Sequence, residues 1–87
     1  MFLHIGNKKS IPKKNVIGIF DLDTATLTET GKKYINKMEK DGLLEYEDSD
    51  LPRSFVLCDE GEVKKIRLSR ISSYGLKERF LEKYKDL

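Results

Sequence analysis

Few side chains in this sequence are of the types that do covalent chemistry, and their spacing does not assemble them. His4 is the sole histidine, and in the strand-like FLHIG it reads as a surface or partly packed residue rather than a general base. Asp21 and Asp23 stand two apart in DLD, a spacing that could bring two carboxylates together. No metal-ligand motif accompanies them, and loop capping outweighs Mg²⁺ binding. Gly6-Asn7-Lys8-Lys9 lacks the glycine spacing and the Lys-Ser/Thr ending of a phosphate-cradling loop. Ser69, Ser72 and Ser73 have no histidine near them in sequence, so they are read as partners for backbone groups at a turn. The single cysteine, Cys58 in FVLCDEG, excludes an intrachain disulfide and a multi-thiolate metal site and fits a buried strand position. The expectation is a non-enzyme: no catalytic, cofactor-binding or metal-binding residue, no cofactor, and no small-molecule substrate.

The chemistry that the sequence does offer is cationic. Its formal net charge is only +2, but the charges are unevenly placed. Residues 1–20 carry Lys8, Lys9, Lys13 and Lys14 with no acid, and residues 21–60 hold eleven acids against five cations. Residues 61–87 carry eight cations against four acids, so two basic ends flank an acidic middle. If those ends meet in space, the molecule is strongly polarised despite its near balance. Lysine and arginine neutralise phosphates, and arginine's donor fork also addresses guanine or a narrow minor groove. Arg53 stands directly before the apolar run of PRSFVL. Lys65 and Arg67 share a parity on the next strand, whereas Lys64 points to the other face. Arg70 follows that strand. On the residues alone, double-stranded DNA binding and protein interaction or structural assembly both remain open.

The elements that must position these groups can be read from the pattern. FLHIG makes a strand turning at Gly6-Asn7, and Lys8 to Pro12 a second short one with Pro12 at an edge or end. Val16 to Leu22 is nearly continuously apolar, which suits a central strand buried on both faces. Thr26 with Glu29 predicts a capping box, and Leu27, Tyr34, Ile35 and Met38 predict one face of a helix over 27–40. Lys37 and Lys40 then complement its negative end, and Gly42 stops it. Leu43 to Tyr46 offers another short strand. Residues 53–58 and 63–68 form a hairpin about Asp59-Glu60-Gly61-Glu62. Ser72 or Ser73 caps a last helix whose apolar positions are Leu76, Phe80, Leu81 and Tyr84. Lys77, Arg79, Lys83 and Lys85 lie on its other face, and Lys85 to Leu87 are expected to fray.

Three segments taken in order, FLHIGNKKSIPKKNVIGIFDLD, PRSFVL and LSRISSYGLKERF, resemble the small bacterial RemA/RemB family, and more closely its RemB-like branch. The resemblance runs through most of the chain. It implies a small mixed α/β domain that assembles in repeated copies, and a DNA-binding transcriptional regulator of extracellular-matrix or biofilm genes. Repeated copies would let weak phosphate contacts act together on a bent or wrapped duplex. Arg53 matches the family's cation before the strand and is the DNA-facing residue that the resemblance favours. Pro52 stands where the RemA-like pattern has a neighbouring cation, an absence for which Lys13, Lys14, Arg67 or Arg70 could compensate.

The fold expected is α+β, a small mixed sheet with a central helix and a C-terminal helix, one domain over residues 1–87, assembling as a homo-oligomer. The expected DNA-binding set is Arg53, Arg67, Arg70, Lys65, Lys13 and Lys14. With no apolar stretch of membrane-spanning length and no signal-peptide core at its start, the chain is expected in the cytoplasm, with no membrane partner and in association with the nucleoid. The runner-up is an oligomeric protein-interaction or structural module with weak or no DNA affinity.

Overall fold

The computed structural model describes residues 1–46, 48 and 50–82. Their elements are β1 (Phe2–Gly6), β2 (Lys9–Pro12), a 3₁₀ turn (Lys13–Asn15), β3 (Val16–Asp21), α1 (Leu22–Ala25), α2 (Glu29–Lys40), β4 (Leu44–Glu45), β5 (Ser54–Glu60), β6 (Val63–Ser69) and α3 (Ser73–Leu81). β1 and β2 form a separate antiparallel hairpin, and the other strands make a four-stranded sheet in the order β3-β5-β6-β4. β4 runs parallel to β6 while the other two pairings are antiparallel, so the sheet is mixed and the molecule is a small mixed α/β domain.

The expected hairpin of the PRSFVL strand forms with Ser54 opposite Ser69 and Glu60 opposite Val63. Its turn uses Gly61 at φ +80°, a left-handed conformation open to glycine at little cost. Alternation along β5 then builds a core on each face. Val56 and Cys58 pack with Leu3, Ile5 and Ile11 of the first hairpin and Leu76 of α3. Phe55 turns the other way to join Ile66 and Met38 of α2.

The strand 16–22 is not central. β3 lies at one edge of the sheet, with Ile17 and Phe20 exposed, and β5 and β6 are the interior strands. Its apolar run is explained by what lies on its two faces. Ile19 and Val16 pack on the first core, and Phe20 stacks on Phe55 with ring centroids 5.1 Å apart.

The central helix begins two residues later than expected, and Thr26 is not its cap. Thr28 takes that role, its hydroxyl accepting from the Gly31 N–H at 3.0 Å. Thr26 instead closes α1, a short helix that the sequence pattern does not announce, which Asp21 caps by accepting from the Thr24 N–H at 2.8 Å. Leu27 therefore sits between the helices, 81% exposed, rather than on the buried stripe. Gly31 is fixed by packing: a Cβ there would lie 1.9 Å from the Ala25 carbonyl oxygen, where α1 ends against the start of α2. The far end of α2 behaves as expected. Gly42 takes φ +74°, Leu43 N–H reaches Met38 C=O at 2.8 Å, and Lys37 pairs with Asp41 at 2.9 Å.

α3 starts at the expected serine, with the Ser72 hydroxyl accepting from Gly75 N–H at 3.1 Å. Leu76 is buried and Phe80 half-buried, but Leu81 is 73% exposed, so the apolar stripe is narrower than expected. Tyr84, Lys83 and the tail Lys85 to Leu87 lie outside the described residues.

Candidate nucleic-acid interface

Lys65 and Arg67 do share a face of β6, as their parity requires, but that face also carries acids. Lys65 Nζ lies 2.9 Å from Glu45 and 3.8 Å from Glu60. Arg67 bonds Glu60 at 2.8 Å through Nη2 and 3.1 Å through Nε, and reaches Glu45 at 3.2 Å. Glu45 arrives on β4, in register with Arg67, and Glu60 from the end of β5. Burial by itself would lower the Arg67 pKa, and the Glu60 bond with the Glu60 and Glu45 charges outweighs it and raises the value. The Lys65 bond, aided by the charges of Arg67 and Lys65, holds the Glu45 carboxyl below its ordinary value. Four half-buried charges thus neutralise one another at the β4 edge, with guanidinium and ammonium turned to protein carboxylates.

Arg70 is similarly engaged, its Nε 2.7 Å from Asp48. Lys13 donates to the Glu82 carbonyl at 2.9 Å and stands 5.8 Å from the Phe80 ring centroid, tying the start of β3 to the end of α3. Together with Arg79 donating to the His4 carbonyl at 3.3 Å, this brings the amino-terminal hairpin and the last helix into contact. The two basic ends of the described chain therefore do meet.

Arg53 is differently placed. Its backbone is held on both sides, the N–H by Ser69 C=O at 2.8 Å and the C=O by Leu22 N–H at 3.1 Å. Its side chain is exposed and has no ion-pair partner among the described residues. Its charge acts on Asp21, whose pKa is lowered first by the Thr24 N–H and hydroxyl, then more weakly by Arg53 and Lys77. Lys77, exposed on α3, is thus a neighbour of Arg53 across Asp21. The sequence carried a signal for it, because Lys77 falls one helical turn beyond Ser73, but nothing in the sequence placed that turn beside Asp21.

Arg53 and Arg70 flank the Ser54–Ser69 pair at one end of the β5–β6 hairpin, whereas the exposed Lys14 precedes the opposite end of β3, near Cys58. The six strand residues between them span about 20 Å at a typical rise per residue. One copy therefore does not gather the six candidates into one patch.

The serines serve the backbone. Ser69 Oγ donates to Ile5 C=O at 2.8 Å and accepts from Ile71 N–H at 3.0 Å, and Ser54 Oγ donates to Ile71 C=O at 2.6 Å. Cys58 is buried, and desolvation pushes its thiol up to about 11, away from reactive thiolate character. His4 is exposed with Nδ1 3.4 Å from the Ser10 hydroxyl. Among the described residues no group of three His, Cys, Asp or Glu side chains is arranged to hold a metal, and no helix is long and apolar enough to cross a membrane.

No family model matches the chain and no curated protein is similar to it, so the resemblance to RemA/RemB rests on the three quoted segments.

Proposed function

We propose that this chain is a homo-oligomeric DNA-binding regulator in which Arg53 of each copy is the principal duplex contact. The observation that supports it is the presentation of Arg53: a guanidinium on a backbone anchored from both sides, exposed, with no ion-pair partner among the described residues. A guanidinium with no ion pair to break loses less on meeting a phosphate or a guanine than one that must first leave a carboxylate. Lys14 is another exposed cation without an ion-pair partner among the described residues, and its distance from Arg53 suits contacts shared among several copies rather than one compact patch. The resemblance to RemA/RemB extends the reading to matrix or biofilm genes in a bacterial cytoplasm.

Lys65, Arg67 and Arg70 are assigned a lesser part, because binding DNA through them would first break the ion pairs with Glu45, Glu60 and Asp48. The same pairing favours the second reading, an oligomeric protein-interaction or structural module, since it takes three of the six candidate cations out of competition for phosphates.

Titrating the purified native assembly with a matrix-gene promoter duplex and a matched random duplex over a range of salt separates the two. Under the DNA reading, binding weakens steeply with salt. Arg53→Ala lowers the slope of log K against log salt by about one for each phosphate that Arg53 neutralises, at unchanged assembly size. A correctly assembled protein that binds neither duplex at low salt removes the DNA reading and leaves the interaction module.

A further inference from the structure

Of the three ion-paired cations in the candidate set, Arg70 is the least firmly held. Lys65 and Arg67 each meet two carboxylates and keep 27% and 21% of their side-chain exposure. Arg70 keeps 50%, and Asp48 is its one ion-pair partner among the described residues. An exposed single pair is worth little in water, so it exchanges for another anion more readily than the half-buried quartet does.

Asp48, by contrast, is fixed in place. Its side chain keeps only 17% of its exposure, with Oδ2 2.7 Å from Arg70 Nε and Oδ1 accepting from the Asp50 N–H at 3.1 Å. The Tyr46 hydroxyl donates to the Asp50 carbonyl and closes the same loop. Asp48, Asp50 and Arg70 all act on the Tyr46 phenol: burial and then the two carboxylates push its pKa up, and Arg70 opposes them. On its other side the Arg70 guanidinium lies along the first hairpin, where a Cβ on Gly6 would stand 3.9 Å from Nε. Residues 1–20 contain no acid, so the hairpin offers Arg70 no second carboxylate.

The covered arginine also begins beside the exposed one. Ser69, directly before Arg70, accepts through its carbonyl the Arg53 N–H at 2.8 Å. Both arginines therefore leave the same end of the β5–β6 hairpin. A carboxylate oxygen on Arg70 Nε makes the charge-assisted bond that a phosphate oxygen would make there.

We infer that Asp48 is an internal stand-in for a DNA phosphate: it occupies Arg70 in the free protein and lowers duplex affinity until a phosphate displaces it, when Arg70 joins Arg53 as a second contact. This rests on the DNA-binding reading and deepens it by naming a competitor for the duplex within the chain.

The test is the affinity of the native assembly for the matched random duplex at low salt, by fluorescence anisotropy, with sedimentation to report assembly size and far-UV circular dichroism the fold. Asp48→Asn keeps an oxygen for the Asp50 N–H and removes the charge. It should tighten binding about two- to fivefold for each copy that contacts the duplex, the scale of one exposed ion pair. Arg70→Ala should cancel that gain, so that the double variant binds no tighter than Arg70→Ala alone. Asp48→Ser, which also retains an acceptor, replaces Asp48→Asn if the latter does not fold. Unchanged affinity in the Asp48 variants overturns the inference, and leaves the DNA reading standing where Arg53→Ala still weakens binding. A gain that survives in the Arg70→Ala background overturns it too, because Asp48 then acts only as a general repulsive charge. Absence of duplex binding by both wild type and Asp48→Asn overturns the inference and the DNA reading together.

Discussion

The two edges of the four-stranded sheet are finished in opposite ways. At the β4 edge Lys65, Arg67, Glu45 and Glu60 lock a two-residue strand onto β6, and every charge there has an opposite within the same chain. At the β3 edge the run from Val16 to Phe20 carries no charge, and Lys14 and Asp23 lie beyond its ends without ion-pair partners among the described residues. The richest cluster of cations is therefore structural, while Arg53, Lys14, Lys77 and the apolar run of β3 are among the groups left available to an outside partner. Counting charge along the chain picks out the first region; only the pairing that folding produces sets the second apart from it.

The largest expected contrast is between two isoleucines. Ile66→Ala, at a fully buried site under α2 and beside β4, should cost about 2–5 kcal/mol in denaturant unfolding. Ile17→Ala at the open edge should change monomer stability by no more than about 0.5 kcal/mol. Equal effects at the two sites would mean that the edges do not differ as described.

Next comes Arg67→Ala, which leaves Glu45 and Glu60 facing each other with only Lys65 between them. A destabilisation of about 1–3 kcal/mol is expected, below that of a fully buried pair because Arg67 keeps 21% of its side-chain exposure. Arg53→Ala should be near neutral by the same measurement. An Arg67→Ala protein as stable as wild type would show that the quartet does not hold the β4 edge.

The smallest effect is that of pH. Glu45 has a folded pKa below its ordinary 4.5, so it binds protons less readily folded than unfolded. Its contribution to stability is fully present above the unfolded pKa and is lost as pH falls from about that value through the lowered folded one. Stability curves in that acid range should be flatter for Glu45→Gln than for wild type. Parallel curves would remove Glu45 from the linkage.

Much of the fold could be read from short-range pattern. The FLHIG hairpin, the PRSFVL hairpin and the stop of α2 at Gly42 depend on neighbours within a few residues, and all appear where the pattern puts them. α1 escaped because four residues carry too little periodicity to register, and because Thr26 and Glu29 offered a capping box that competed with Thr28. Of the candidate site, Arg53 could be read as a cation ahead of a strand. The pairing of Lys65, Arg67 and Arg70 could not, since their acids lie five to twenty-two residues away in the chain.

The sequence by itself determined the hairpins, the serine cap of α3 and the two amphipathic helices, because those follow from turn chemistry and from the periods of 2 and 3.6. Only the tertiary structure decided which strand is an edge and which cations are already paired. The apolar run of β3 suits an interior strand and a two-faced edge equally well, and the order of strands is set by how α2 carries the chain across the sheet from β3 to β4. Whether a cation is available depends on the carboxylates that folding brings to within an ion-pair distance, a property of the assembled surface that no local stretch of residues contains.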